Sequence, residues 1–129
     1  MDTFNISQVS QLLGLSPHTL RYYERAGLLD PVQQQGGRRR YSQQDIAWLR
    51  FIQRLRGTDM PMRQISHYAE LRRNGDCTLV ERMALLEAHL QALLQREREL
   101  ASHRQALSEK IDIYRKMLLV APTQKRKWK

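Results

Sequence analysis

Eight consecutive residues pose the first chemical question: His18, Thr19, Leu20, Arg21, Tyr22, Tyr23, Glu24 and Arg25. At helical spacing Leu20 turns toward a core, which leaves Arg21 and Tyr22 on open faces and Tyr23 at the flank. An exposed helix of this composition suits a DNA major groove. There an arginine can grip a guanine edge with two hydrogen bonds, and threonine can meet a base edge or methyl group. Tyrosine hydroxyls and Arg25 suit phosphates. The plainer reading is that Arg21 and Arg25 only solvate a helix face while the tyrosines pack beneath it.

A second basic cluster bears on that choice. Arg38, Arg39 and Arg40 follow Gly36-Gly37, a dipeptide that readily takes the positive φ of a hairpin turn. Three guanidinium groups on a small protruding hairpin are placed for phosphate contact. Two adjoining basic elements, with a formal net charge of +9, favour a polyanionic partner over a merely solvated surface.

Other chemistry is sparse. No nucleophile–base pair, paired carboxylates or phosphate-binding loop is present, so the chain is read as a non-enzyme without a cofactor. Its one cysteine, Cys77, excludes an intrachain disulfide and a multi-thiolate metal site. Cys77 precedes a helix start at Thr78, with Arg72 and Arg73 nearby and Asp76 opposing them. It is therefore either a thiol sensor for aldehydes, other electrophiles or oxidants, or a space-filling residue at a linker. His89 and His103, fourteen residues apart on one helix, are either solvated or part of a zinc site across a helix pair. Trp48 and Tyr68 are read as core, beside a space that a small apolar effector could occupy.

The elements that position these residues follow from local signals. Asn5 or Ser7 caps a first helix that stops at Gly14. Ser16 caps a second, with Pro17 at its first position and Gly27 at its end. Val32 to Tyr41 form a two-stranded wing. Ser42 and Asp45 open a third helix that runs to Gly57, and the loop from Thr58 to Pro61 leads to a fourth, ending near Asn74 and Gly75. Thr78 and Glu81 then read as a capping box for a long helix. Its seam runs Leu79, Met83, Leu86, Leu90, Leu93, Glu97, Leu100, Arg104, Leu107, Ile111, Tyr114, Leu118. So narrow a stripe on so long a helix needs a partner helix, most simply from a second copy. The expected organisation is mainly α: a winged helix-turn-helix head over residues 1–75, a dimerisation coiled-coil helix over 76–120 and a basic tail over 121–129. No apolar run approaches the roughly 20 residues that span a bilayer, and no secretory leader is read at the start. The expected location is cytoplasmic, with no membrane role.

The runs LGLSPHTLRYYERAGLL and GGRRRYS, in that order, resemble the MerR family of bacterial transcription regulators, and the likeness covers essentially the whole chain. The resemblance, to the small electrophile- or aldehyde-responsive members, implies a homodimer held by an antiparallel coiled coil. It also implies double-stranded promoter DNA with a pseudo-palindromic site, distortion of that DNA on a signal, RNA polymerase at the same promoter, and a stress response. It carries DNA contacts to His18, Thr19, Arg21, Tyr22 and Tyr23 on the second helix and to Arg38, Arg39 and Tyr41 on the wing. Arg40 receives no settled role. The loop from Thr58 to Met62 would form a second wing, with Asp59 an unusual charge to face DNA. The mercury- and copper-sensing relatives carry cysteines beyond the long helix that this chain lacks, so metal sensing is not expected. The rival readings are an architectural, excisionase-like DNA-bending factor and a coiled-coil interaction protein.

Overall fold

The computed structural model describes residues 3–30 and 33–120. The basic tail and the first residue of the expected wing, Val32, lie outside them. The elements are α1 (Ile6–Leu13), α2 (Pro17–Arg25), β1 (Gln33–Gln35), β2 (Arg38–Arg40), α3 (Gln43–Gly57), α4 (Met62–Arg73), a short 3-10 turn (Asp76–Thr78) and α5 (Leu79–Val120). They divide into two compact units, Met1–His89 and Leu90–Lys129.

Local capping chemistry sets the helix starts. Asn5 and Gln8 exchange reciprocal bonds of 2.9 and 2.8 Å, and Ser42 and Asp45 do the same at 3.1 and 2.9 Å, so each pair satisfies two free backbone donors. Ser16 accepts from the Thr19 amide at 3.1 Å, with Pro17 following it. The helix ends are equally explicit. The Gly27 and Leu28 amides return to the carbonyls of Glu24 and Tyr23, with Gly27 at φ 78, and Leu28 is buried. The same pattern ends α3: Asp59 and Met60 bond back to Arg56 and Leu55, Asp59 takes the left-handed position at φ 62, and Met60 is buried. The loop expected as a second wing thus opens with a helix stop, in which Asp59 holds a left-handed position that aspartate tolerates.

Val9, Leu20, Leu28, Leu49, Ile52 and Ile65 are fully buried and bring α1 to α4 around one core. Two polar bonds index it. The Trp48 indole donates to the Leu28 carbonyl at 2.6 Å, and the Gln53 amide donates to the Leu13 carbonyl at 2.7 Å. Trp48 stacks on Tyr68 with centroids 5.8 Å apart, and the Arg72 guanidinium sits 4.3 Å from the Trp48 ring centroid.

The first unit runs past the expected boundary at residue 75. Leu85 and Leu86 pack on the core, and His89 hydrogen-bonds the Thr58 hydroxyl at 2.7 Å. The junction also differs from the expected capping box. Thr78 is buried, and its hydroxyl points back to the carbonyls of Leu71 (2.6 Å) and Gly75 (2.7 Å) while accepting from Arg82 at 3.1 Å. Glu81 is exposed and takes no part. Beyond His89 nearly every residue of α5 is exposed, including Leu100 at 67% and Leu107 at 66%.

At Gly27 an added Cβ would meet only Arg73 Nη2 at 3.7 Å, so the cost of a side chain there is the backbone's. Gly27→Ala is expected to destabilise the protein by about 1 kcal/mol, read as a lower urea midpoint with an unchanged slope.

Candidate nucleic-acid interface

The caps and the core leave α2 with one free side. Leu20 and Tyr23 are buried, so the helical repeat turns His18, Arg21, Tyr22 and Arg25 outward, and all four are exposed, Tyr22 at 45%. Thr19 is half-buried. Its hydroxyl lies 2.9 Å from that of Ser16 and so belongs to the cap. Tyr23, expected as a contact, instead supplies core, with its ring 6.1 Å from that of Tyr22.

The wing is a two-stranded antiparallel hairpin pairing Gln33 with Arg40, Gln34 with Arg39 and Gln35 with Arg38. Gly36 and Gly37 take φ 59 and 78, the two positive values that a tight hairpin turn of matching twist requires. The three arginines do three different things. Arg38 is exposed and has no ion-pair partner among the described residues. Arg39 meets Glu24 of α2 at 2.7 Å in a partly buried bridge. Arg40 turns to the Thr3 hydroxyl at 3.0 Å and so acquires a structural role. Phe4 and Tyr41 exchange backbone bonds of 2.8 Å in both directions, which ties the N-terminal segment to the base of the wing.

Tyr41 is the sharpest departure from the expected site. Its side chain is 0% exposed, and its hydroxyl has no hydrogen-bond partner among the described residues. Burial is the main reason its pKa stands above the ordinary phenol value. The Glu24 carboxylate adds to the rise, while Arg39 and Arg21 oppose it. Among the expected contacts, the structure therefore brings His18, Arg21, Tyr22 and Arg38 to the surface of one head, uses Arg39 as a brace, and buries Tyr23 and Tyr41. Glu24 is the residue that sequence reasoning missed; the signal was a lone acid in a basic helix, fifteen residues before Arg39 of the basic wing.

Cys77 is exposed on the 3-10 turn, and its thiol donates to the Asn74 carbonyl at 3.4 Å. The two cations expected near it are engaged elsewhere. Arg72 covers Trp48, and Arg73 pairs with Asp30 at 3.2 Å and donates to the Gly27 carbonyl. Among the described residues no three His, Cys, Asp or Glu side chains converge as a metal site. No described helix is long and apolar enough to cross a membrane.

Comparison with known proteins gives a consistent picture. The MerR HTH family regulatory protein pattern matches residues 4–71, and the pattern described as MerR, DNA binding matches residues 46–110. An HTH-type transcriptional regulator of Haemophilus influenzae is 32% identical over 115 residues, covering 88% of this chain and 85% of that protein. The HTH-type transcriptional regulator AdhR of Bacillus subtilis is 38% identical over 92 residues, covering 70% and 66%. Among solved structures, HiNmlR, a MerR family regulator lacking the sensor domain and bound to promoter DNA, superposes with a TM-score of 0.81. The identity is 32%, over 89% of this chain and 92% of that one. A MerR family regulator of Listeria monocytogenes gives a TM-score of 0.85 at 32% identity, over 92% and 91%.

The orphan hydroxyl of Tyr41 yields a test. Tyr41→Phe removes a buried group that has no partner, so stability at neutral pH is expected to be unchanged or up to about 1 kcal/mol higher. Because the folded-state pKa is raised, wild-type stability should fall as pH rises beyond 10.0, where the unfolded phenol ionises first. The phenylalanine variant should lose that part of the alkaline decline. Unchanged DNA affinity in this variant would place Tyr41 in the core alone, and a clear loss would restore it as a contact.

Proposed function

Because this chain belongs to the MerR family of helix-turn-helix transcriptional regulators, we propose that it binds a pseudo-palindromic promoter site as a homodimer and distorts that DNA in response to a signal. Residues 1–75 act as the DNA-binding head, 76–120 as the dimerisation helix and 121–129 as a basic tail. The partners are promoter DNA, a second copy and RNA polymerase at the same promoter, and the place of action is the cytoplasm.

The observation that carries this reading is the Arg39–Glu24 bridge. It joins wing to α2, so that the exposed stripe of His18, Arg21, Tyr22 and Arg25 and the free Arg38 belong to one braced surface. Arg21 and Tyr22 are assigned to base edges, with His18 and Thr19 at the start of the reading helix. Arg25 and Arg38 are assigned to phosphates. Arg39 acts by holding the wing, and its exposed edge remains available to the backbone. Bending or undertwisting a site of about 20 base pairs costs on the order of 1–6 kcal/mol, which several arginine–phosphate contacts from two heads offset. An architectural bending factor has no use for a 42-residue helix bearing an exposed apolar stripe, and this disfavours that reading.

Footprinting on genomic promoter fragments tests the proposal: one protected pseudo-palindrome supports it, while scattered curved sites or no protection overturn it. In binding assays, Arg21→Ala should cost about 1–3 kcal/mol on the cognate duplex and relax discrimination at one base pair per half-site. Arg38→Ala should weaken cognate and scrambled duplexes alike and lower the salt slope by about one per head. The two readings of Cys77 separate in a reporter strain. A sensor requires Cys77→Ser to abolish induction by formaldehyde, methylglyoxal or hypochlorite, whereas a space-filling residue leaves induction intact.

A further inference from the structure

We propose that the trough between α1 and α3 is a docking surface for a second protein, and that it takes an acidic amphipathic helix. The trough shares no residue with the DNA face assigned above, and docking there does not depend on that assignment.

The starting point is an apolar residue that no other role absorbs. Two large hydrophobic side chains are exposed on α1 to α4: Tyr22, which belongs to the free side of α2, and Leu12, exposed at 50%. Single exposed leucines are ordinary on protein surfaces, but Leu12 is not isolated. Two adjoining hollows share it with Phe4. One runs to Gln43, Ile46, Ala47 and Arg50 on α3, and the other runs along α1 past Gln8 and Gln11. Phe4, Leu12, Ile46 and Ala47 thus make a continuous apolar floor.

The rim decides the charge of the occupant. Gln43, Ala47, Arg50 and Arg54 recur at helical spacing and are all exposed, so they form one open line along α3. The side chains of Arg50 and Arg54 have no hydrogen bond or ion pair among the described residues. The only acid of α3, Asp45, has its carboxylate on the Ser42 amide at 2.9 Å. Two guanidinium groups beside an apolar floor therefore lack a carboxylate partner in their own head and can take one from outside.

Other occupants satisfy only half of this surface. A phosphate backbone would meet the arginines and leave the apolar floor uncovered. A second copy of a chain with net charge +9 brings like charge to the rim. An acidic protein segment with one apolar face satisfies floor and rim together. Its conformation follows from the walls. Both are helices, whose backbone groups are paired along their length, so no free edge is offered for an extended strand to join. A helix laid in the trough instead presents large apolar side chains at i and i+4, about 6 Å apart along its axis, one to each hollow, with carboxylates on the flank toward Arg50 and Arg54.

The test uses the full chain and a fluorescein-labelled helical peptide of about 16 residues, with leucines recurring every three and four positions and glutamates between them. Fluorescence anisotropy should show saturable binding with a dissociation constant of roughly 1–100 µM. Leu12→Ser and Arg50→Glu, both at exposed positions and with urea midpoints unchanged, should each weaken it at least about tenfold. A peptide of the same composition with its leucines scrambled should bind at least about tenfold more weakly, since it keeps the charge and loses the apolar face. Duplex DNA is the second probe, and Leu12→Ser should hold its affinity for it within about twofold. No saturable peptide binding, equal binding of the scrambled peptide, or binding that either variant leaves intact overturns the proposal. If Arg50→Glu weakens duplex DNA and leaves the peptide unaffected, the rim is a phosphate contact instead. A chain that binds the peptide as described but protects no promoter keeps the docking surface and loses the pseudo-palindromic site.

Discussion

The head depends on a division of labour around one short helix. α2 must bury Leu20 and Tyr23 to hold the core and must leave His18, Arg21, Tyr22 and Arg25 free to have any surface chemistry. Nine residues give two and a half turns, so each side receives only two to four side chains. With so few contacts, the orientation of α2 has to be fixed from outside. The Ser16 cap fixes its start, and the left-handed Gly27 releases the chain so that Leu28 returns to the core and offers its carbonyl to Trp48. The Arg39–Glu24 bridge fixes its outer edge against the wing.

That arrangement explains why three adjacent arginines diverge. In a strand, successive side chains alternate in direction, which sets Arg39 apart from Arg38 and Arg40, and of those two only Arg40, at the base of the hairpin, is near the N-terminal segment. Arg39 reaches α2, Arg40 reaches the N-terminal segment, and Arg38 is left for solvent or a ligand. A basic triplet on a wing is thus one candidate contact and two braces. Such braces matter in a recognition surface: a hairpin of three-residue strands carries little stability of its own, and an unbraced wing would lose ordering entropy on binding.

Much of the fold was legible in the sequence because its boundaries are local chemistry. Asn5, Ser16 and Ser42 announce helix starts within three residues of their partners, and Gly14, Gly27 and the Gly36-Gly37 pair announce turns by backbone freedom alone. The candidate site was legible only in part, for the converse reason. The burial of Tyr41 and the inward turn of Arg40 depend on Phe4 and Thr3, 37 residues earlier in the chain, and no local pattern encodes that pairing. In the loop after α3, the left-handed Asp59 and the buried Met60 were not legible, because in one dimension they look like an exposed turn. The T-x-x-E start failed similarly: Thr78 has two helices to serve, and the carbonyls of Leu71 and Gly75 outcompete its own helix end.

The Thr78 junction sits where α4 gives way to α5. Gly75 holds φ 94 and ψ −169, a backbone region essentially closed to residues with a Cβ. Its carbonyl receives both the Thr78 hydroxyl and Arg82 Nη2, the latter at 3.2 Å, and the side chain of Arg82 is 14% exposed. Each such bond contributes about 0.5–1.5 kcal/mol net. The set therefore makes the turn between α4 and α5 costly to open. The residues that close it are accordingly Thr78 and Arg82, both within the first compact unit.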